Sequence, residues 1–257
     1  MTRIGLLGSG RLGEIIARAL HDGKVPDCAL VGILGRGTER SARLAGACGG
    51  TACAGLEELL ALAPDYVIEA ANAQAVTEHA PAILSAGRSL ICLSVGAFYD
   101  EGFYDRCARL AREHGSKVYL ASGVIGGFDT ASALALMGPA QGTMTKYKYP
   151  RDTGRCPQGL SELPDQFEGS AREGFLLSPD HLNVAVTAAL VCGSLDGTRM
   201  RVEPVGPDER SGFGFAVEGE YGSVRLRVEQ SGAVYGPALA AWSALALLKR
   251  LVSPITF

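Results

Sequence analysis

The chain has 257 residues, enough for one large domain or two modest ones, each with its own core. Apolar residues make up 47% and charged residues 20%, and the formal net charge is −3, so neither nucleic acid nor an anionic membrane is an expected partner. No apolar run reaches bilayer length and the N-terminus lacks the layout of a signal peptide, while the seven cysteines are scattered without a C-x-x-C pair or a Cys/His cluster; the expectation is a cytoplasmic protein with reduced thiols and no metal.

The first half alternates strand and helix patterns. Arg3–Leu7, Ala29–Leu34, Tyr66–Glu69, Ser89–Leu93 and Lys117–Leu120 read as short apolar strands. Gly13–Leu20, Glu39–Ala47, Val76–Ala86 and Phe103–Glu113 read as helices between them. Such alternation predicts βαβ units and a parallel sheet covered on both faces. After Ser122 the rhythm changes. Ala140–Tyr149 alternates like an exposed antiparallel strand, and Arg151–Glu173 reads as a polar loop. Asn183–Cys192 reads as an apolar helix, and Arg199–Val205, Phe213–Val217 and Ser223–Glu229 as antiparallel strands. The fold class expected is α/β: a Rossmann dinucleotide-binding domain over 1–121 and 232–257, with a second α+β domain for substrate and dimerisation over 122–231. The terminal "PALAAWSALALLKRLV" is a helix expected to return to the first domain.

Gly8-Ser9-Gly10-Arg11-Leu12-Gly13 follows a strand and opens a helix inside a unit of about 30 residues, the context that makes G-x-G-x-x-G informative. Gly8 permits the turn, Gly10 lets the backbone approach a pyrophosphate, and Gly13 lets helix and strand pack closely. The helix N-terminus offers unpaired N–H groups to the phosphates. A carboxylate at the end of the second strand would hold the ribose hydroxyls, but Leu34-Gly35-Arg36 has none. Arg36 either pairs with a 2′-phosphate or is a solvated loop cation; the first reading favours NADP(H), with NAD(H) also accepted.

Further stretches resemble the L-aspartate dehydrogenase family of small NAD(P)-dependent amino acid dehydrogenases. They are "EAAN" (Glu69–Asn72), "LSVGAFYD" (Leu93–Asp100), "LASGVIGGFDT" (Leu120–Thr130) and "NVAVTAALVCGSLDGTRM" (Asn183–Met200), in the family's order. The resemblance implies cofactor contacts from Ala71, Asn72, Val95 and Gly96. It implies substrate contacts from Ser122, Gly123, Asn183 and the position of Phe213, a small-molecule substrate, and a homodimer. Two departures stand out. The family's histidine in D-P-x-x-x-R-N-x-H falls on Phe213 of "GPDERSGFGF", with Arg210 kept and Ser211 in place of the Asn; the C-terminal N-P-K-T-S is replaced by "AVYGPALAAWS". A phenyl ring transfers no proton, which puts aspartate itself in doubt. His181, just before Asn183, is then either a general acid/base or a histidine at a helix start. Lys146 either holds a substrate carboxylate or is a solvated strand lysine. His21, His79 and His114 are assigned no role.

Three functions stay open at this point. One is hydride transfer at the C–N bond of a small amino or imino acid. Another is NADPH-dependent reduction of a carbonyl or cyclic imine. The third is a non-catalytic dinucleotide-binding paralogue.

Overall fold

The structure is a computed structural model and describes residues 1–156, 162–179, 181–229 and 235–256. Its strands are β1 (Thr2–Leu7), β2 (Cys28–Leu34), β3 (Thr51–Cys53), β4 (Tyr66–Glu69), β5 (Ser89–Cys92), β6 (Val118–Leu120), β7 (Ala140–Lys148), β8 (Phe167–Ser170), β9 (Arg199–Pro204), β10 (Gly212–Gly219) and β11 (Gly222–Glu229). Its helices are α1 (Arg11–His21), α2 (Thr38–Cys48), α3 (Leu56–Ala61), α4 (Ala73–Ser85), α5 (Glu101–His114), α6 (Phe128–Met137), α7 (Ala171–Leu177), α8 (Asn183–Cys192) and α9 (Tyr235–Val252). Two compact units result, residues 1–121 with 237–257, and residues 122–236. The boundary placed from sequence after residue 231 lies outside the described residues, as do residues 157–161 of the predicted polar loop and residue 180.

In the first unit, six parallel strands lie in the order β3-β2-β1-β4-β5-β6. The order reverses between β1 and β4, the switch point beside which ligands of such sheets bind, outside the carboxyl ends of the strands. Ile4, Leu6, Ile33, Ile68 and Ile91 of the sheet share one core with Ile16 and Leu20 of α1, Leu44 of α2, and Ala241, Ala244, Leu245 and Leu248 of α9. The terminal helix therefore belongs to the first unit, as its apolar run predicts.

The second unit holds a five-stranded sheet, β11-β10-β7-β9-β8. Here the structure corrects the sequence reading twice. β7 is the central strand, not an exposed one: Gly142, Met144, Lys146 and Lys148 are all buried. A Cβ on Gly142 would lie 2.4 Å from Cys192 Sγ, so this face of β7 lies under α8. β7 and β9 are also parallel, not antiparallel. Joining parallel strands requires a long crossover, which β8, α7 and α8 provide. The predicted polar loop thus contains β8 and the start of α7, whose first turn is closed by a Ser170/Glu173 capping box. The sequence reading also lacks β3, α3 and α6, the first two short and the third without a clear apolar face, with Ala131 its one buried residue.

Candidate active site

The three glycines of the first turn are needed for three different reasons. Gly8 has φ +118, and a Cβ there would stand 2.5 Å from the Ala70 carbonyl oxygen. Gly13 packs so tightly that a Cβ would lie 2.0 Å from the Gly8 carbonyl oxygen. A Cβ on Gly10, by contrast, would meet nothing within 4 Å, although Gly10 is the N-cap of α1 and offers no side chain to its first N–H groups. Open space over unpaired helix N–H groups is what a pyrophosphate requires, so the residues present fit a dinucleotide. Arg11 is exposed and Leu12 half-buried, while Ser9 is buried and accepts a 3.1 Å hydrogen bond from Ser41 Oγ of α2. Gly8 N–H donates to the Leu34 carbonyl, 2.7 Å away, which ties the turn to the end of β2. Arg36 lies just beyond that end and is exposed.

The ends of β4 and β5 are joined by a carboxylate that the sequence reading left without a role. Glu69, wholly buried, ends β4. Its Oε1 accepts from Ala71 N–H at 2.7 Å and Ser94 Oγ at 2.8 Å; its Oε2 accepts from Ser94 N–H at 2.9 Å, Leu93 N–H at 3.2 Å and Cys92 Sγ at 3.5 Å. Burial pushes the carboxyl pKa up, and the Ser94 and Ala71 N–H groups pull it back. The signal in the sequence was an acid closing an otherwise apolar strand, Tyr-Val-Ile-Glu. Of the residues implied as cofactor contacts, Ala71 is exposed, and Asn72 caps α4 by accepting from Ala75 N–H at 2.9 Å. Val95 and Gly96 are buried in a 3₁₀ turn, Val95–Tyr99, so any contact they make runs through the backbone.

In the second unit, Phe213 on β10 is registered directly against Lys146 on β7. The Lys146 ammonium lies 4.1 Å from the centre of the Phe213 ring and donates to the Gly212 carbonyl at 3.3 Å. Lys146 is only 1% exposed, which rules out a solvated strand lysine. Burial, with a smaller contribution from Lys148, pulls its pKa down to about 8, against an opposing effect of Cys156. Lys148, equally buried, is paired with Asp165 at 2.9 Å. His181 is exposed before α8, its Nδ1 3.1 Å from Ser178 Oγ. Asn183 opens α8 and is half-buried. Ser122 is half-buried too, and Gly123 has φ +67 with Val184 beneath it. Among the described residues no His, Cys, Asp and Glu group could hold a metal, and no helix is long and apolar enough to cross a membrane.

Known proteins match in two parts, the second of which runs on into α9. Residues 8–121 match the family described as homoserine dehydrogenase, NAD binding domain, and residues 129–251 match aspartate dehydrogenase, C-terminal. The L-aspartate dehydrogenase of Methanocella arvoryzae is 34% identical, with 99% of this chain and 98% of the relative covered. The chain belongs to the L-aspartate dehydrogenase family. The Archaeoglobus fulgidus member is also 34% identical, with 96% of this chain and 97% of the relative covered. The crystal structure of aspartate dehydrogenase from Thermotoga maritima has the same fold, with a TM-score of 0.78 at 21% identity, covering 100% of this chain and 99% of that one.

Proposed function

We propose that the chain is an NAD(P)-dependent oxidoreductase of the aspartate dehydrogenase type that acts at the C–N bond of a small amino or imino acid other than aspartate, with NADPH favoured. Family membership supports the enzyme class and the dinucleotide. The observation that carries the rest is Lys146 lying over the phenyl ring of Phe213, the residue standing where the resemblance places the family's histidine.

A bound nicotinamide dinucleotide supplies or accepts the hydride. The chain must then bind and orient the substrate and move one proton. The glycine turn and the N-terminus of α1 hold the pyrophosphate, and Arg36 pairs with the 2′-phosphate. A lysine amine brought down to about 8 can exist in both protonation states near neutral pH. As a free amine Lys146 takes a proton from the substrate ammonium during oxidation; as an ammonium it returns one to nitrogen during reduction. Among the described residues its hydrogen-bond acceptor is the neutral Gly212 O, with the ring face beside it, an arrangement that suits the ammonium equally to an anionic substrate. Ser122, Gly123 and Asn183 complete the substrate contacts in this reading. The protein acts in the cytoplasm as a homodimer, a reading drawn from composition and from the family.

A second reading gives the proton to His181, because Ser178 fixes its Nδ1 and leaves Nε2 for a partner. The test is NADPH oxidation with a panel of 2-keto acids plus ammonia and with preformed cyclic imines, on wild type, Lys146→Met and His181→Ala. Turnover lost by roughly 10²–10⁴-fold in Lys146→Met, with His181→Ala reduced less than about tenfold, is the expected result. The reverse pattern moves the role to His181. Turnover of simple carbonyls without ammonia supports a reductase, and tight cofactor binding without any turnover a non-catalytic paralogue.

A further inference from the structure

We propose that Glu69 is the positioning residue for the nicotinamide half of the cofactor. The inference rests on the reading above that this unit binds a nicotinamide dinucleotide. In a sheet of this order the two halves of the ligand lie over the two halves of the sheet, and the glycine turn with β2 serves the adenosine half. β4 and β5 serve the other half. Glu69 holds the loops after both strands: Ala71 belongs to the loop after β4, Leu93 and Ser94 to the loop after β5. Those loops lead directly into Asn72 and into Val95–Gly96.

The glycine turn is anchored separately, by backbone bonds: Gly8 N–H donates to the Leu34 carbonyl at 2.7 Å, and Ala70 N–H to the Leu7 carbonyl at 2.8 Å. The carboxylate thus sets the spacing of the two loops at the carboxyl ends of β4 and β5. Only a carboxylate can do so. Both oxygens accept from backbone N–H groups, so an amide in either orientation would set its own N–H₂ against one of them. The residue acts through the loops and needs no contact with the reacting atoms.

The test compares two ligand pairs by calorimetric titration of the full-length protein: NADPH with 2′-phospho-ADP-ribose, and NADH with ADP-ribose, the second of each pair lacking the nicotinamide. In Glu69→Gln the affinity for whole dinucleotides should fall by roughly tenfold or more, while that for the truncated ligands stays within about twofold. Hydrogen exchange at the amides of residues 71, 93 and 94 should accelerate in the same variant. Ser94→Ala, which removes one donor and leaves the carboxylate in place, should shift affinity in the same direction by less, and it carries the test if Glu69→Gln does not fold. Equal losses for whole and truncated ligands, or no loss for either, overturn the assignment. Failure of the wild type to bind either pair overturns the dinucleotide reading itself.

Discussion

Ser41 Oγ donates to Ser9 Oγ at 3.1 Å in the interior, and this bond occupies the space above Gly35. A Cβ on Gly35 would lie 2.3 Å from Ser9 Oγ and 2.8 Å from Ser41 Oγ. The strand end where a ribose-binding carboxylate would stand therefore has no room for one, and the next residue is the exposed Arg36, which the proposed reading pairs with the 2′-phosphate. Arg40 is already 3.8 Å from Glu14. Arg36→Ala should weaken NADPH by about 1–3 kcal/mol and leave NADH nearly unchanged, measured by calorimetric titration. An equal loss for both cofactors would show that Arg36 does not read the 2′-phosphate.

Gly10 and Gly13 separate binding from folding. Nothing lies within 4 Å of a Cβ on Gly10, whose φ of −73 suits any residue, so Gly10→Ala should melt within about 1 kcal/mol of wild type. It should still lose roughly tenfold or more in dinucleotide affinity, because the methyl group takes the space meant for phosphate. Gly13→Ala should do the opposite first: its Cβ would stand 2.0 Å from the Gly8 carbonyl, and thermal melting should show a loss of several kcal/mol. A Gly10→Ala protein that binds NADPH like wild type would mean the turn holds no pyrophosphate.

The two kinds of glycine are indistinguishable as letters, and they show where sequence reading stops. The parallel sheet was legible because strands such as Ile4–Leu7 and Val67–Ile68 are covered on both faces and so are continuously apolar. The centre of the second sheet was not. β7 alternates polar and apolar residues, which marks a half-exposed strand, yet two of its polar residues are buried lysines satisfied by a ring face, carbonyls and Asp165. Such partners come from β10 and from the crossover, far away in sequence. That Phe213 and Lys146 face each other follows from the register of β10 on β7, which neither residue reveals as a letter. Glu69 was passed over because its five donors come mostly from the end of β5, 23 to 25 residues further on.

Phe213, standing where the resemblance places a histidine, bears on aspartate itself. Wild type with L-aspartate and NADP⁺ or NAD⁺ should show little or no reduction of the dinucleotide, because the contact a phenyl ring offers is apolar and Phe213 is packed under Lys146. Turnover near the typical enzyme rate of about 10 s⁻¹ would overturn this and would show that aspartate is accommodated without the histidine.

Lys146 gives the sharpest signature, because one group controls both a rate and a stability. If the amine must be free to accept the substrate's proton, the oxidation rate should rise with pH through about 8 and then level off. The reduction rate should fall over the same range. Lys146→Arg keeps a charge that cannot be removed, so both limbs should vanish along with most of the activity. The stability follows from the same shift. The folded chain holds this proton less tightly than the unfolded chain, whose lysine titrates near 10.5. Between pH 8 and 10.5 the unfolded state binds more protons, so stability rises with pH across that window and the cost of the buried charge is fully present below it. Lys146→Met fills the same space without a charge, and at pH 7 it should be more stable than wild type, by up to about 3 kcal/mol. That advantage should shrink as the pH is raised through the window, a trend that thermal melts at pH 7, 9 and about 10.5 would follow directly. A Lys146→Met protein that is less stable than wild type at pH 7 would mean that the ring face and the Gly212 carbonyl compensate the charge in full. The amine would then have no reason to titrate near 8, and the proton route would pass to His181.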